Sequence, residues 1–175
     1  MVVRAPAKLN LCLYLGRTRD DGLHELRSLF CPLALSDRIA ITTSEDERDE
    51  VICDGVEGPN LAAAALTALR ERGWRSPPLR IEVDKRIPVA AGLGGGSADA
   101  AAVLRLADGE VAGLPEVALE LGADVPSQLN PAFALVAGAG ERLEELRPPA
   151  SFGVVLIPLA HTRLRHVPAR PVPTF

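Results

Sequence analysis

Four glycines fall within five residues at Gly92-Leu93-Gly94-Gly95-Gly96, and Ser97 and an alanine-rich run follow. Glycine loses the most backbone freedom on ordering and has no side chain to bury, so such a run is neither helix nor packed strand; it marks a place where backbone approaches something closely. Ser97 is a good N-cap, and residues 98–107 read as a helix of strong helix formers. A glycine loop that opens a helix presents unpaired N–H groups and the positive end of the helix dipole, which suits a phosphate chain. The same run would also serve a tight turn that only lets a helix pack closely. No Gly-Lys-Ser/Thr ending is present, the glycines are not spaced G-x-G-x-x-G, and a proline-containing loop precedes them.

Lys8, Asn10, His24 and Asp124 are the other residues whose types could do chemistry. Leu9, Leu11, Leu13 and Leu15 alternate with Lys8, Asn10, Cys12 and Tyr14, a period of two that predicts a strand with its leucines on the core side. Lys8 and Asn10 then project together from the opposite face. Asp124 stands in the loop Gly122-Ala123-Asp124-Val125-Pro126, and His24 in a polar turn over residues 16–25. Taken singly, each also reads as an ordinary solvated side chain.

The elements that must position these groups follow from pattern. Strand-like segments cover residues 26–43, and a short strand is expected at residues 51–53. Asn60 caps a helix over residues 61–72 that Gly73 ends. Leu79, Ile81 and Val83 alternate with charged residues as a strand, and Pro115 starts a short helix to Leu121. Residues 133–137 and 142–146 read as paired strands, and the apolar run 152–159 as a buried strand. The proline-rich tail, residues 161–175, is expected to be poorly ordered. Strands and helices intermingle without a strict βαβ rhythm, so the fold class is α+β.

Composition narrows the function. The 175 residues carry a net charge of −4 with 3% aromatics, which lacks the basic surface and stacking rings of a nucleic-acid binder. No apolar run approaches the roughly 20 residues that span a bilayer, and Arg4, Lys8 and Asn10 interrupt any signal-like start. Cys12, Cys31 and Cys53 form no C-x-x-C pair and read as buried small hydrophobes in a reducing, cytoplasmic compartment. His24, His161 and His166 make no metal pattern, so no metal-ligating residue is assigned.

Three separated stretches share one resemblance. They are Pro6-Ala7-Lys8-Leu9-Asn10-Leu11 with Asp21-Gly22-Leu23-His24-Glu25-Leu26, then residues 87–102, then Leu121-Gly122-Ala123-Asp124-Val125-Pro126. In order and spacing the chain resembles the GHMP kinase superfamily over about residues 1 to 160, and within it the kinases of 4-diphosphocytidyl-2-C-methyl-D-erythritol in non-mevalonate isoprenoid biosynthesis. The resemblance implies an N-terminal domain with the fold of ribosomal protein S5 domain 2, here residues 1–150, with residues 151–175 the start of a missing C-terminal domain. It implies ATP and Mg²⁺ as cofactors and the 2-hydroxyl of the cytidylyl methylerythritol as phosphoryl acceptor. Asp124 takes the family's general base and Lys8 its strand lysine. The stretch Pro88-Val89-Ala90-Ala91-Gly92-Leu93-Gly94-Gly95-Gly96-Ser97-Ala98 takes the loop around the triphosphate, and Asn60 an asparagine near adenine. Asn10 and His24 take the contacts to the methylerythritol and cytosine parts.

The departures are specific. Leu23 stands where the family usually has tyrosine, which removes a stacking surface worth about 1–3 kcal/mol. Ser97-Ala98 replaces a Ser-Ser pair, Ser127-Gln128 replaces an apolar pair, and Asn130-Pro131 stands where glycines are common. The sequence after Leu159 does not resemble the family's second domain, so a homodimer through the surface that domain would cover is a further expectation. Another small-alcohol kinase of the superfamily, or a nucleotide-binding module without turnover, is the alternative.

Overall fold

The structure is a computed structural model, and it describes residues 1–20, 22–56 and 59–157. Its frame is a hairpin of two long strands, β1 (Val2–Thr18) and β2 (His24–Thr43), paired antiparallel from Val2↔Ala40 to Thr18↔His24. β2 is long enough to take two further partners on its other edge. Its second half pairs with β4 (Leu79–Asp84), and its first half with β5 (Ala134–Gly138). β3 (Glu50–Ile52) adds parallel to β4, and β6 (Arg142–Glu145) antiparallel to β5. The sheet runs β3-β4-β2-β5-β6, with β1 along the free edge of β2.

Among the described residues four helices pack on this frame: α1 (Leu61–Glu71), α2 (Gly95–Leu104), α3 (Leu114–Leu121) and α4 (Val125–Leu129). Asn60 caps α1 as expected, its Oδ1 accepting from the N–H groups of Ala62 at 2.9 Å and Ala63 at 3.4 Å. Gly73, with φ 84°, ends it. α1 and α2 meet through alanines, a close approach that only small side chains allow. Their core also takes in Ala5, Ile39, Ile41, Ile81 and Val83 from the sheet. The α+β class stands, with one mixed sheet and one helical layer.

Several expectations change. Beyond Leu9, which packs against the small cluster of Ala7, Ile87 and Leu93, the leucine alternation of β1 does not face a core: Leu11, Leu13 and Leu15 are exposed, whereas Lys8 is buried. The helical core reaches β1 only near its start, at Val3 and Ala5, so the far half of the hairpin has no apolar layer against which a period of two could choose a face. The polar turn is shorter than expected, because β1 continues to Thr18 and β2 starts at His24. Residues 151–157 form no strand, and Phe152, Val155 and Ile157 are exposed; this run pairs with no sheet edge. The rest of that run and the tail over residues 161–175 lie outside the described residues. Cys12 is exposed and Cys31 and Cys53 are half-buried, all three free thiols, so they are not core residues.

α2 starts earlier than its sequence suggests. Gly94 is its left-handed N-cap, with φ 68°, and Gly95 and Gly96 form its first turn, so Ser97 is inside the helix. A 3-10 turn at Arg105–Ala107 closes its far end. A Cβ on Gly95 would lie 3.1 Å from Ile87 and 3.2 Å from the Lys85 ammonium. The glycine is there because the helix start is pressed against its own lead-in strand. The sequence predicts a loop where α4 forms; Asp124 stands at its N-cap position, with Pro126 in its first turn.

Candidate active site

The glycine loop runs from the end of β4 to the start of α2. Ala90, Gly92 and Gly94 are left-handed, with φ of 58°, 74° and 68°. Residues 88–92 are exposed, while Ile87 and Leu93 anchor the two flanks in a small core with Ala7. One wall of the loop is hydrogen-bonded to the hairpin, because the Lys8 N–H donates to the Leu93 carbonyl at 2.9 Å. A cavity of about 310 Å³ opens between the loop and the start of α1, lined by Cys53, Asn60, Leu61, Lys85, Asp99 and loop residues. Asn60 thus sits on the cavity wall while its Oδ1 caps α1.

Lys8 reaches the same loop from β1. Its stem lies beneath Gly94, where a Cβ would be 3.0 Å from Lys8 Cγ and 3.1 Å from Lys8 Cε. The side chain is 7% exposed, and a buried ammonium needs its donors met. Nζ lies 3.2 Å from Asp124 Oδ2 and 3.2 Å from Asn10 Oδ1, and 4.5 Å from the Phe30 ring centroid. The three groups surround the cation with a carboxylate, an amide oxygen and an aromatic face. Asn10 Oδ1 is also met by the Ser28 hydroxyl at 3.1 Å, and that hydroxyl lies 2.7 Å from the Cys12 carbonyl.

Asp124 keeps one side open, at 36% side-chain exposure. Two contacts hold its backbone. The Ser127 hydroxyl donates to the Asp124 carbonyl at 2.8 Å, and Gly140 presses on Ala123 so closely that a Cβ there would overlap the Ala123 carbonyl. Arg105 pins the far end of α4, donating to the Gln128 carbonyl at 2.7 Å and to the Arg4 carbonyl at 3.3 Å. Gln128 is buried, its Nε2 without a hydrogen-bond partner and 3.4 Å from the Cβ position of Gly94.

The structure brings Lys8, Asn10, Asp124 and the glycine loop together. It does not bring His24 to them. His24 is exposed at the far end of the hairpin, with Nδ1 3.5 Å from the Thr18 hydroxyl. Pro32, the strand partner of Lys8, is roughly 25 Å of strand away from it.

Sequence reasoning missed the ion cluster behind the loop. Lys85 donates to Asp37 and, at 2.7 Å, to Asp99. Burial pushes the Asp99 carboxyl up to about 7; Lys85 pulls against this and Asp37 adds to it. Burial works against the Lys85 ammonium, but the two carboxylates outweigh it and its pKa is raised. A buried lysine flanked by acids from β2 and α2 has no sequence-local signature, since the three residues are brought together only by the sheet and the helix.

Among the described residues no cluster of three His, Cys, Asp or Glu side chains could hold a metal ion, and no helix is long and apolar enough to cross a membrane.

Residues 60–133 match the family model described as GHMP kinases N terminal domain. The chain is 45% identical over 171 residues to the 4-diphosphocytidyl-2-C-methyl-D-erythritol kinase of Anaeromyxobacter dehalogenans strain 2CP-1, covering 90% of this chain and 54% of that one. The solved structure of a 4-(cytidine 5'-diphospho)-2C-methyl-D-erythritol kinase superposes with a TM-score of 0.71 at 40% identity, covering 85% of this chain and 56% of that one. The mevalonate kinase of Methanococcus jannaschii shares the fold alone, at TM-score 0.54 and 12% identity over 85% of this chain and 56% of its own. The chain spans about half the length of the curated relatives it matches. The matched segment holds the glycine loop, α2 and Asp124. By sequence and by fold, this chain carries the N-terminal domain of the GHMP kinases.

Proposed function

We propose that this chain is the catalytic half of an ATP-dependent kinase whose acceptor is the 2-hydroxyl of 4-diphosphocytidyl-2-C-methyl-D-erythritol. The observation that carries the reading is the 3.2 Å pair of Lys8 and Asp124, hydrogen-bonded through the Lys8 backbone to the glycine loop. The relatives that share this sequence at 45% identity bear that kinase name.

The residues assign the steps. The open N–H groups of the loop and of the α2 N-terminus cradle the triphosphate. Asp124 Oδ accepts the proton of the substrate hydroxyl as its oxygen attacks the γ-phosphorus. The bond from that phosphorus to the bridging oxygen breaks, and ADP leaves with its electron pair. Lys8 holds the Asp124 carboxylate at 3.2 Å and offsets the charge that builds on the transferring group. Asn10, on the same strand and bound to Lys8, faces the alcohol. Asn60 borders the adenine side of the cavity. The distance to His24 suits an elongated substrate, with the diphosphate between a methylerythritol near Asn10 and a cytosine at the hairpin tip, where Leu23 offers no stacking ring. Mg²⁺ fits as an ion carried on the phosphates. Bound there it would offset charge on the phosphates, and Asp124 is the open carboxylate that would face it.

A homodimer through the surface that a second domain would cover is the expected partner state, and sedimentation of the purified protein tests it. The kinase reading is tested by a phosphoryl-transfer assay with ATP, Mg²⁺ and the cytidylyl methylerythritol, run beside Asp124→Asn and Lys8→Ala. Turnover lost in both variants supports the reading. ATP bound with no turnover by the wild type leaves a nucleotide-binding module.

A further inference from the structure

A buried ion cluster stands behind the glycine loop, and no step of the proposed transfer uses it. Asp37, on β2, is fully buried. Its Oδ1 accepts from the N–H groups of Arg86 at 2.6 Å and Ile87 at 2.8 Å, the residues that lead into the loop. Its Oδ2 accepts from the Lys85 ammonium, and that ammonium also donates to Asp99 Oδ2 at 2.7 Å. Asp99 is one turn into α2, the helix that receives the end of the loop. The cluster therefore clamps the entrance and the exit of the loop to each other.

The clamp is unbalanced, because two carboxyl groups share one cation. Asp99 Oδ1 is buried and has no hydrogen-bond partner. The ammonium lies 3.2 Å from the Cβ position of Gly95, the first residue of α2, and Lys85 and Asp99 both line the loop cavity. With both carboxyls ionised, the cluster places an uncompensated negative charge directly behind an anion site.

We propose that Lys85 and Asp99 are positioning residues for the phosphate chain, and that Asp99 takes up one proton on Oδ1 as the triphosphate enters the loop. The inference rests on the nucleotide reading of the loop. The proton comes from solvent and no bond of the nucleotide changes. Protonated Asp99 leaves Lys85 and Asp37 as a neutral pair, so nothing behind the loop repels the phosphates.

The surroundings permit the change. Asp99 already sits high, at about 7, so it is poised between forms near neutral pH. The charged and titratable groups that face it are Lys85 beyond β4, Asp37 on β2, and Cys53 beyond β3, which in turn meets Asp54. Burial raises the Cys53 thiol, so it stays neutral through this range. α1 meets α2 with Ala62, Ala65, Leu66 and Leu69, none of which titrates.

The test is calorimetry of MgATP binding near pH 8, in two buffers of different ionisation enthalpy, on the wild type and on Asp99→Asn. The expected result is uptake of about half a proton or more per ATP in the wild type and none in Asp99→Asn. Between about pH 6.5 and 8.5, wild-type affinity relative to the variant should fall by about 5–10-fold. A purely structural clamp would change stability without changing either readout. Equal proton counts in the two proteins, or none in the wild type, overturn the inference. Should Asp99→Asn not fold, the wild-type proton count decides alone. A wild type that binds no ATP overturns the nucleotide reading itself, whereas ATP bound without proton uptake overturns only this inference.

Discussion

The backbone N–H of Lys8 donates to the carbonyl of Leu93 at 2.9 Å, so the strand that carries the buried cation is hydrogen-bonded to the glycine loop itself. The Lys8 ammonium and the loop therefore cannot move apart without losing that bond. Replacing Lys8 by Met keeps the stem under Gly94 and this backbone bond but removes the charge. Under the kinase reading kcat should fall by about 10²–10³ with a small change in the KM for ATP, as for loss of one charge-stabilising donor. Steady-state kinetics check this, and an unchanged kcat would remove Lys8 from the chemistry.

Gly94 tests the same junction from the loop side. An alanine there must adopt φ near 68° and sets its Cβ 3.0 Å from Lys8 Cγ. The left-handed conformation costs about 1 kcal/mol, and the contact pushes on the Lys8 stem. The expected outcome is a modest loss of stability with a loss of activity out of proportion to it, about 10-fold or more, since small displacements at a reacting centre are expensive. Melting curves and kcat measured on one preparation separate the two effects.

Asn60 has two assignments that substitution can divide. Asn60→Ala removes the cap of α1 and should cost about 1 kcal/mol. Asn60→Asp keeps a capping oxygen and should restore most of that stability. If Asn60 also meets the adenine, Asn60→Asp will still bind ATP more weakly than the wild type. Denaturant melts and an ATP titration on both variants give the answer.

Asp99 makes a signed statement about pH and stability. Its carboxyl titrates at about 7 in the folded chain and at an ordinary 3.8 when unfolded. Between those values the unfolded chain has released a proton that the folded chain still holds. The folded state therefore loses stability as pH rises from about 4 to about 7, and the loss levels off above that. Relative to the wild type, Asp99→Asn should gain stability between pH 5 and 8, by about 1–3 kcal/mol. Urea unfolding at both pH values measures the difference, and parallel curves for the two proteins would contradict it.

Gln128 carries a donor that the fold leaves unpaired. Gln128→Met fills the same space without the amide and should stabilise the chain by about 1 kcal/mol, because an unmet buried polar group is removed. A variant less stable than the wild type would mean that the amide is bonded in solution.

Much of the helical half was legible in the sequence, and the reasons are local. Asn60, Gly73 and Pro115 act within one turn of the chain, and the alternation over residues 79–84 has a helical layer on one face to select it. The leucines of β1 have the same alternation but no such layer, and the pattern misled. The apolar run after Ala150 misled in the same way, since an apolar stretch becomes a strand only beside an edge that accepts it. The glycine loop was legible as an anion site, yet its helix starts inside the glycines because Ile87 and Lys85 crowd Gly95, a tertiary fact. The Lys8–Asp124 pair joins residues 116 positions apart, so spacing alone could not deliver it. Only the family resemblance links the two residues at the level of sequence. The Asp37, Lys85 and Asp99 cluster, which no such resemblance singled out, went unseen.

β2 pairs with β4 over its second half and with β5 over its first. During synthesis the hairpin and the β4 pairing can form once residue 84 is available, but residues 26–30 wait for residues 134–138 to be made. For that interval a stretch of strand edge has no partner and is open to neighbouring chains. The pairing that completes it is long-range and slow to close. The same late step brings Gly140 against Ala123. The pairing that completes the sheet and the contact that backs the Asp124 loop thus depend on the same late segment, and a chain stopped before it would carry the glycine loop without Gly140 against Ala123.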